Sequence, residues 1–334
     1  MRKLLIGLVL LLAGCGGDHA NQQEAEKRWT SPNGKVKVLS TTAMITDLVK
    51  QVGDDHVDTL TLIRGELDPH SYQLVKGDDE KLASAQVIFF NGLGLEHGAS
   101  LQNYLHSTKK AVGLGDILRA QDRSWVLYQN GPTDPHMWMD ISLWGKTVPL
   151  IVEALSRQDP TNAALYEQNG ERLMKEMETV HQEIRKRMKE IPEEKRYLVS
   201  SHDAFNYFTR AYLATDQEVA TGTWQKRFES PEGLAPESQL STTDIQFIIN
   251  HLTKYRIHVL FPESNVSQDS IRKIEQAGEE KGLQLRISKG YLYSDAMGAP
   301  GSDGDTYLKM IQHNAKVIAE GLDGVEKSKE RGEP

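Results

Sequence analysis

Eleven histidines are spread through the 334-residue chain, and three of them are placed to do chemistry together. His70 follows Asp68-Pro69, His136 follows Asp134-Pro135, and His202 lies in Ser200-Ser201-His202-Asp203. A proline fixes the backbone just ahead of the first two rings, which helps to aim each imidazole at a common point. Imidazole nitrogens ligate borderline transition metals such as Zn(II), Fe(II) and Mn(II). The separations are far longer than in a local motif such as His-Glu-x-x-His, so only the fold could gather these rings. A lone loop histidine is ordinarily a surface residue. The repeated Asp-Pro-His and the third histidine shift that balance without settling it. Three imidazoles with an open fourth position also describe catalytic zinc, so a hydrolase with Glu263 as its base stands beside a binding protein.

The elements that must position these rings alternate between strand and helix. Residues 36–40, 57–63 and 87–90 are strand candidates rich in apolar and β-branched residues, and 42–52 and 78–85 carry helical spacing between them. The continuous run Val87-Ile88-Phe89-Phe90 suits a strand covered on both faces. Alternation of this kind implies βα units around a parallel sheet. His70 then falls after the strand ending near Ile63, and His202 immediately after a strand at 197–200. Ligands of open α/β sheets bind outside the carboxyl ends of the strands.

The middle of the chain reads differently. Asp159-Pro160 is a helix start, with Asp as the cap and Pro at the first helical position. Leu173, Met177, Val180, Ile184, Met188 and Ile191 follow at spacings of four and three, and Pro192 stops the run. One helix of about 30 residues, roughly 45 Å long, is expected to run between two lobes as a rigid backbone. Strand and helix signals then resume, with a helix expected over 204–213, strands at 259–261 and 283–287, and a helix over 270–281. The segment 224–241 has no periodicity and reads as a solvated loop, with a mobile flap near the cleft as the alternative. The expected fold is α/β: two lobes, each a parallel β-sheet flanked by helices, joined by one long helix.

The amino terminus carries a separate signal. Arg2 and Lys3 precede an apolar run at 4–12, closed by Leu12-Ala13-Gly14-Cys15. That run falls short of the roughly 20 apolar residues of a spanning helix and reads as a secretion signal. Small residues before the chain's single cysteine match a bacterial lipobox, so Cys15 is expected to be diacylated and to hold the protein on the membrane. A lone cysteine excludes an intrachain disulfide framework and any multi-thiolate metal site. The expected organisation is a signal peptide (1–14), a lipidated tether (15–34), a first lobe (35–158), the linking helix (159–192) and a second lobe (193–326). A net charge of -8 without a basic stripe argues against a nucleic-acid partner.

Seven blocks, in order over the chain from about Val36 onward, carry a family resemblance. They are 67–72 (Leu-Asp-Pro-His-Ser-Tyr), 91–96 (Asn-Gly-Leu-Gly-Leu-Glu) and 134–140 (Asp-Pro-His-Met-Trp-Met-Asp), followed by 201–207, 261–265 and 293–298. The last is Asp305-Thr306-Tyr307 with His313-Asn314. The sequence resembles the TroA-like metal-binding proteins of ABC importers (cluster A-I, solute-binding family 9), and 75–80 looks most like the chlamydial YtgA branch. The resemblance implies four metal ligands: His70 and His136 from the first lobe, His202 and Asp295 from the second. Glu263 would lie near them as an outer acceptor or stabilise the lobe interface. Asp203 would cap the helix after it. The implied cargo is one divalent transition-metal ion, Zn, Mn or Fe, delivered by a monomeric extracytoplasmic lipoprotein to a permease and its ATPase. Binding a larger chelate such as a siderophore or haem is the alternative within such a scaffold, and an adhesin role could coexist with transport.

Three imidazoles and a carboxylate disfavour Ca(II) and Mg(II), which prefer oxygen ligands. Manganese-type relatives commonly have Glu where this chain has His202. Zinc-type relatives commonly carry a His-rich acidic loop that is missing between Glu96 and Asp134. A site tolerant of several metals is therefore expected, with affinity falling below about pH 6.5, where free histidine titrates. The long helix should restrict the lobes to small adjustments.

Overall fold

The computed structural model describes residues 24, 26–129, 131–236 and 240–324. Cys15 and the expected signal peptide lie outside the described residues. The first sheet contains β1 (Val36–Ser40), β2 (Val57–Thr61), β3 (Val87–Phe90) and β4 (Ala111–Gly113), all parallel, in the order β2-β1-β3-β4. Helices α1 (Ala43–Gly53), α2 (Asp78–Ser84), α3 (Ala99–Ser107) and α4 (Leu114–Gln121) connect and cover it. Side chains alternate across a strand, and the packing follows that alternation. Val87 and Phe89 enter one apolar cluster while Ile88 and Phe90 enter another. Both faces of the sheet are therefore buried, as the unbroken run of apolar residues implies.

The second lobe repeats the scheme with shorter strands. Parallel pairs form between β5 (Leu198–Val199) and β6 (Phe228–Glu229), and between β7 (Val259–Leu260) and β8 (Arg286–Ile287). A parallel bridge from Ser200 to Phe261 joins the two pairs, giving the order β6-β5-β7-β8. Leu198, Val259 and Phe261 face the central cluster, whereas Val199 and Leu260 face an outer one.

After α5 (Val148–Gln158), the long helix α6 (Ala163–Lys189) has 27 residues. Its first half lies on the first lobe, where the Asn169 amide donates to the Val52 carbonyl at 3.0 Å. Its second half lies on the second, where His181 meets the Tyr212 hydroxyl at 2.9 Å and Arg187 reaches Asp323 at 3.1 Å. The longer helices that follow are α7 (Thr242–Tyr255), α8 (Asp269–Glu280) and α9 (Tyr307–Asp323). The central cluster runs without a break from β1 through Leu173, Met177 and Ile184 of α6 to Ile311 and Ile318 of α9. One apolar core thus serves both lobes.

Four local expectations are corrected. Asp159 does not cap the backbone of α6; its carboxylate takes the Asn162 amide at 2.6 Å and the Tyr166 hydroxyl at 2.8 Å, and a 3-10 turn precedes the helix. The stretch 204–213 is not one α-helix but a short turn, Asn206–Phe208, continuing into a π-type turn, Thr209–Leu213. The segment 224–241 is not a simple solvated loop. It contains β6, buries Trp224 and Arg227, and satisfies the Arg227 guanidinium with Glu218 and the Glu193 carbonyl. The described part of the segment expected as a tether is not free of the lobe: Trp29 is buried and donates to the Asp58 carbonyl at 2.9 Å.

Candidate metal centre

Both copies of Asp-Pro-His fold by the same local device. The Asp68 carboxylate accepts the backbone N–H of His70 at 2.8 Å, and Asp134 accepts that of His136 at 2.9 Å. Each Asp closes an Asx turn two residues on, with proline holding the torsion between. His202 is fixed from another element: Glu263, just past β7, accepts its backbone N–H at 2.9 Å and also bonds its Nδ1. Asp295 follows the last strand of the second sheet. Its loop is anchored by Asn314 of α9, which both donates to and accepts from the Tyr293 backbone at 2.7 and 2.8 Å.

The fold brings His70, His136, His202 and Asp295 together, with one nitrogen or oxygen from each lying within 4.8 Å of the others. All four are buried. Asp295 lies 3.4 Å from His136 Nε2, 3.2 Å from His202 Nε2 and 3.8 Å from His70 Nε2. None of these approaches is a hydrogen bond: the three Nε2 atoms and both Asp295 oxygens are buried without hydrogen-bond partners. Buried polar atoms are ordinarily paired, so five orphaned donor atoms facing one point mark a place built for a cation.

The carboxylates behind the rings set their protonation. Burial disfavours a charged His136, yet Asp134 and Asp295 outweigh it and raise the ring to about 9. His202 is likewise raised well above the ordinary range, by Glu263 and Asp295 against burial. Asp295 is held well below the usual carboxylate range, since His202 and His136 overcome the cost of burying it. At His70 burial outweighs Asp295 and, with the charge of His136 and His202, takes the ring down to about 3. The carboxylates thus favour the charged form of two of the three rings.

Three supporting residues escape notice in the sequence. Asp134 bonds His136 Nδ1 at 2.7 Å, fixing the tautomer that points Nε2 at the centre. Asn206 donates to the other Asp134 oxygen at 3.0 Å, and the Tyr207 hydroxyl donates to the Asp134 carbonyl at 3.1 Å. The second lobe therefore clasps the loop that presents His136. Asp203 does not cap a helix backbone; it takes the Asn206 amide at 2.7 Å. Burial, reinforced by Asp134, pushes it up to about 7. The only sequence signal for the clasp is the block 201–207 itself. Partners behind metal-bound histidines are worth about 10–100-fold in affinity. Asp134→Asn should weaken metal binding by that factor, and titration against a competing chelator checks it.

Comparison with known proteins places the chain in a family. The family ZnuA, described as zinc-uptake complex component A, periplasmic, matches residues 38–321. The metal-binding protein YtgA of Chlamydia trachomatis serovar D is 38% identical over 96% of this chain and 96% of its own. The manganese-binding lipoprotein MntA of Bacillus subtilis is 31% identical over 96% of this chain and 100% of its own. The crystal structure of Fe(III)-bound YtgA from Chlamydia trachomatis superposes with a TM-score of 0.82 at 39% identity, covering 86% of this chain and 98% of that one. The chain belongs to the ZnuA family, the extracytoplasmic metal-binding components of ABC importers.

Proposed function

We propose that His70, His136, His202 and Asp295 hold a single transition-metal ion as cargo, with Glu263 and Asp134 steering the rings from behind. The observation that carries this reading is the set of orphaned, buried donor atoms converging from both lobes. Ion and lobes are linked because His70 and His136 come from the first lobe and the other two from the second. In this reading the protein is an importer component whose lipid on Cys15 keeps it at the membrane as a monomer beside the permease and ATPase. Residues 1–14 are its signal peptide, with the lobes at 35–158 and 193–326 and the linking helix at 159–192. A hydrolase is disfavoured by Asp295, a fourth protein donor, and by Glu263, whose two oxygens are both engaged by His202.

Three imidazoles and one carboxylate accept Mn, Fe and Zn, with intrinsic affinity rising in that order. The relatives carry the same range in their names: manganese for MntA, Fe(III) for the solved YtgA, and zinc in the family description. Elemental analysis of natively isolated protein, followed by competition among Mn(II), Fe(II), Fe(III) and Zn(II), tests the reading. Protein that takes up none of these ions would refute it.

Metal must displace the protons on His136 and His202 before their Nε2 lone pairs become available. We expect protons to be released on metal binding at pH 7.5, read by calorimetry in buffers of different ionisation heat. Protons compete with the ion, so apparent affinity should keep climbing with pH past 6.5, at least as far as about 9, where His136 empties. Free imidazole would place the break near 6.5, and the carboxylates behind the rings move it upward. An affinity already flat above pH 6.5 would contradict this.

A further inference from the structure

A fourth imidazole stands at the rim of the buried quartet. His97 is exposed, and its ring centroid lies 5.7 Å from that of His70, about as near as His70 is to His136, at 5.3 Å. The quartet itself is closed off: His70 is 2%, His136 and His202 are 0% and Asp295 is 4% exposed. His97 is therefore the solvent-facing member of a row of rings leading inward.

Its position is built, not incidental. Gly92, Leu93 and Gly94 take φ of 74°, 57° and 86° in succession. A left-handed backbone is costly for a residue such as leucine and tends to occur where function requires it. This turn folds the chain back so that the Glu96 carboxylate receives the N–H groups of Asn91 and Gly92 at 2.8 and 3.1 Å. His97 follows directly and is left exposed. The first turn of α3, just after His97, is tied to the loop that carries His70: Ser100 Oγ accepts the Leu74 N–H at 2.9 Å and donates to Gln73 at 2.8 Å. At Gly98 a side chain would strike the Tyr72 carbonyl at 1.9 Å, so the two loops meet backbone to backbone. Finally, His97 Nδ1 lies 3.2 Å from the Gly94 carbonyl. A carbonyl only accepts, so Nδ1 carries the hydrogen and the neutral ring offers its lone pair on Nε2.

We propose that His97 is a loading ligand for the metal cargo: an arriving hydrated ion exchanges a water for His97 Nε2, gains His70, and leaves His97 as the buried quartet closes around it. The inference rests on the assignment of the quartet as the metal site. His97 is a stopover, absent from the final coordination, so it speeds entry and exit alike. Rate constants of related variants commonly differ over about one to three decades. His97→Ala should slow both Zn(II) association in stopped flow and chelator-driven release by about tenfold. His97→Cys, which restores a donor atom, should recover part of both rates, and His258→Ala, at another exposed histidine, should change neither. Unchanged rates in His97→Ala would overturn the proposal. So would faster release with unaltered association, since His97 would then be a resident ligand or a cover. Unmodified protein that binds no Zn(II), Mn(II) or iron would instead overturn the assignment of the quartet.

Discussion

Asp295→Ala is expected to lower the affinity for Mn, Fe and Zn at least about a hundredfold. Structural zinc sites with four ligands bind with about 10–16 kcal/mol; an equal share per ligand is about 3 kcal/mol, or roughly 150-fold. Asp295 carries more than an equal share, being the one anionic donor in the quartet and the atom pair that faces all three rings. Its loss also leaves His136 and His202 without the carboxylate that favours their charged forms. Both rings should therefore titrate lower in the variant, narrowing its proton release on binding. Competition against a chelator of known affinity measures the first effect, and circular dichroism confirms that the fold is kept. Affinity equal to that of the unmodified protein would remove Asp295 from the site.

The second large effect concerns the floor of the centre. Trp138 is 1% exposed, its ring lies 5.2 Å from that of His136, and its indole N–H donates 2.9 Å to the Ser294 carbonyl beside Asp295. Its own carbonyl accepts the Tyr307 hydroxyl at 2.7 Å. The residue thus ties the His136 loop, the Asp295 loop and α9 together. Trp138→Ala should cost about 3–5 kcal/mol of stability, the usual range for emptying a buried aromatic site. Trp138→Phe keeps most of the packing and removes the indole N–H, leaving the Ser294 carbonyl unpaired at about 1–3 kcal/mol. Urea unfolding of metal-free protein separates the two variants. If Trp138→Ala unfolded at the same denaturant midpoint as the unmodified protein, the tie would be inconsequential.

Much of this was legible from residue order. Val87-Ile88-Phe89-Phe90 is a strand with both faces buried, and α6 ends within a few residues of where Pro192 stops its periodicity. The three histidines were visible because proline and strand ends mark positions that a sheet aims at one point. Asp295 was not, since an aspartate near a glycine turn resembles any loop residue; only the family blocks identified it. The segment around β6 escaped because a two-residue strand has no period to read, and its burial depends on Arg227 finding Glu218 nearby. The clasp of Asn206 on Asp134 joins residues 72 positions apart in the chain. His97 carries no signal of its own, because its nearness to His70 depends on a left-handed turn that no propensity predicts.

The continuity of α6 through one shared core has a consequence for how a transporter distinguishes a full carrier from an empty one. A rod gripped at both ends resists the wide gaping by which many carriers announce their state. Whatever the permease senses must then be small and close to the rim: a loop reseated, a ring turned, a patch of charge altered as the ion displaces protons. Discrimination among ions falls to the coordination geometry itself, and the outline of the molecule contributes little.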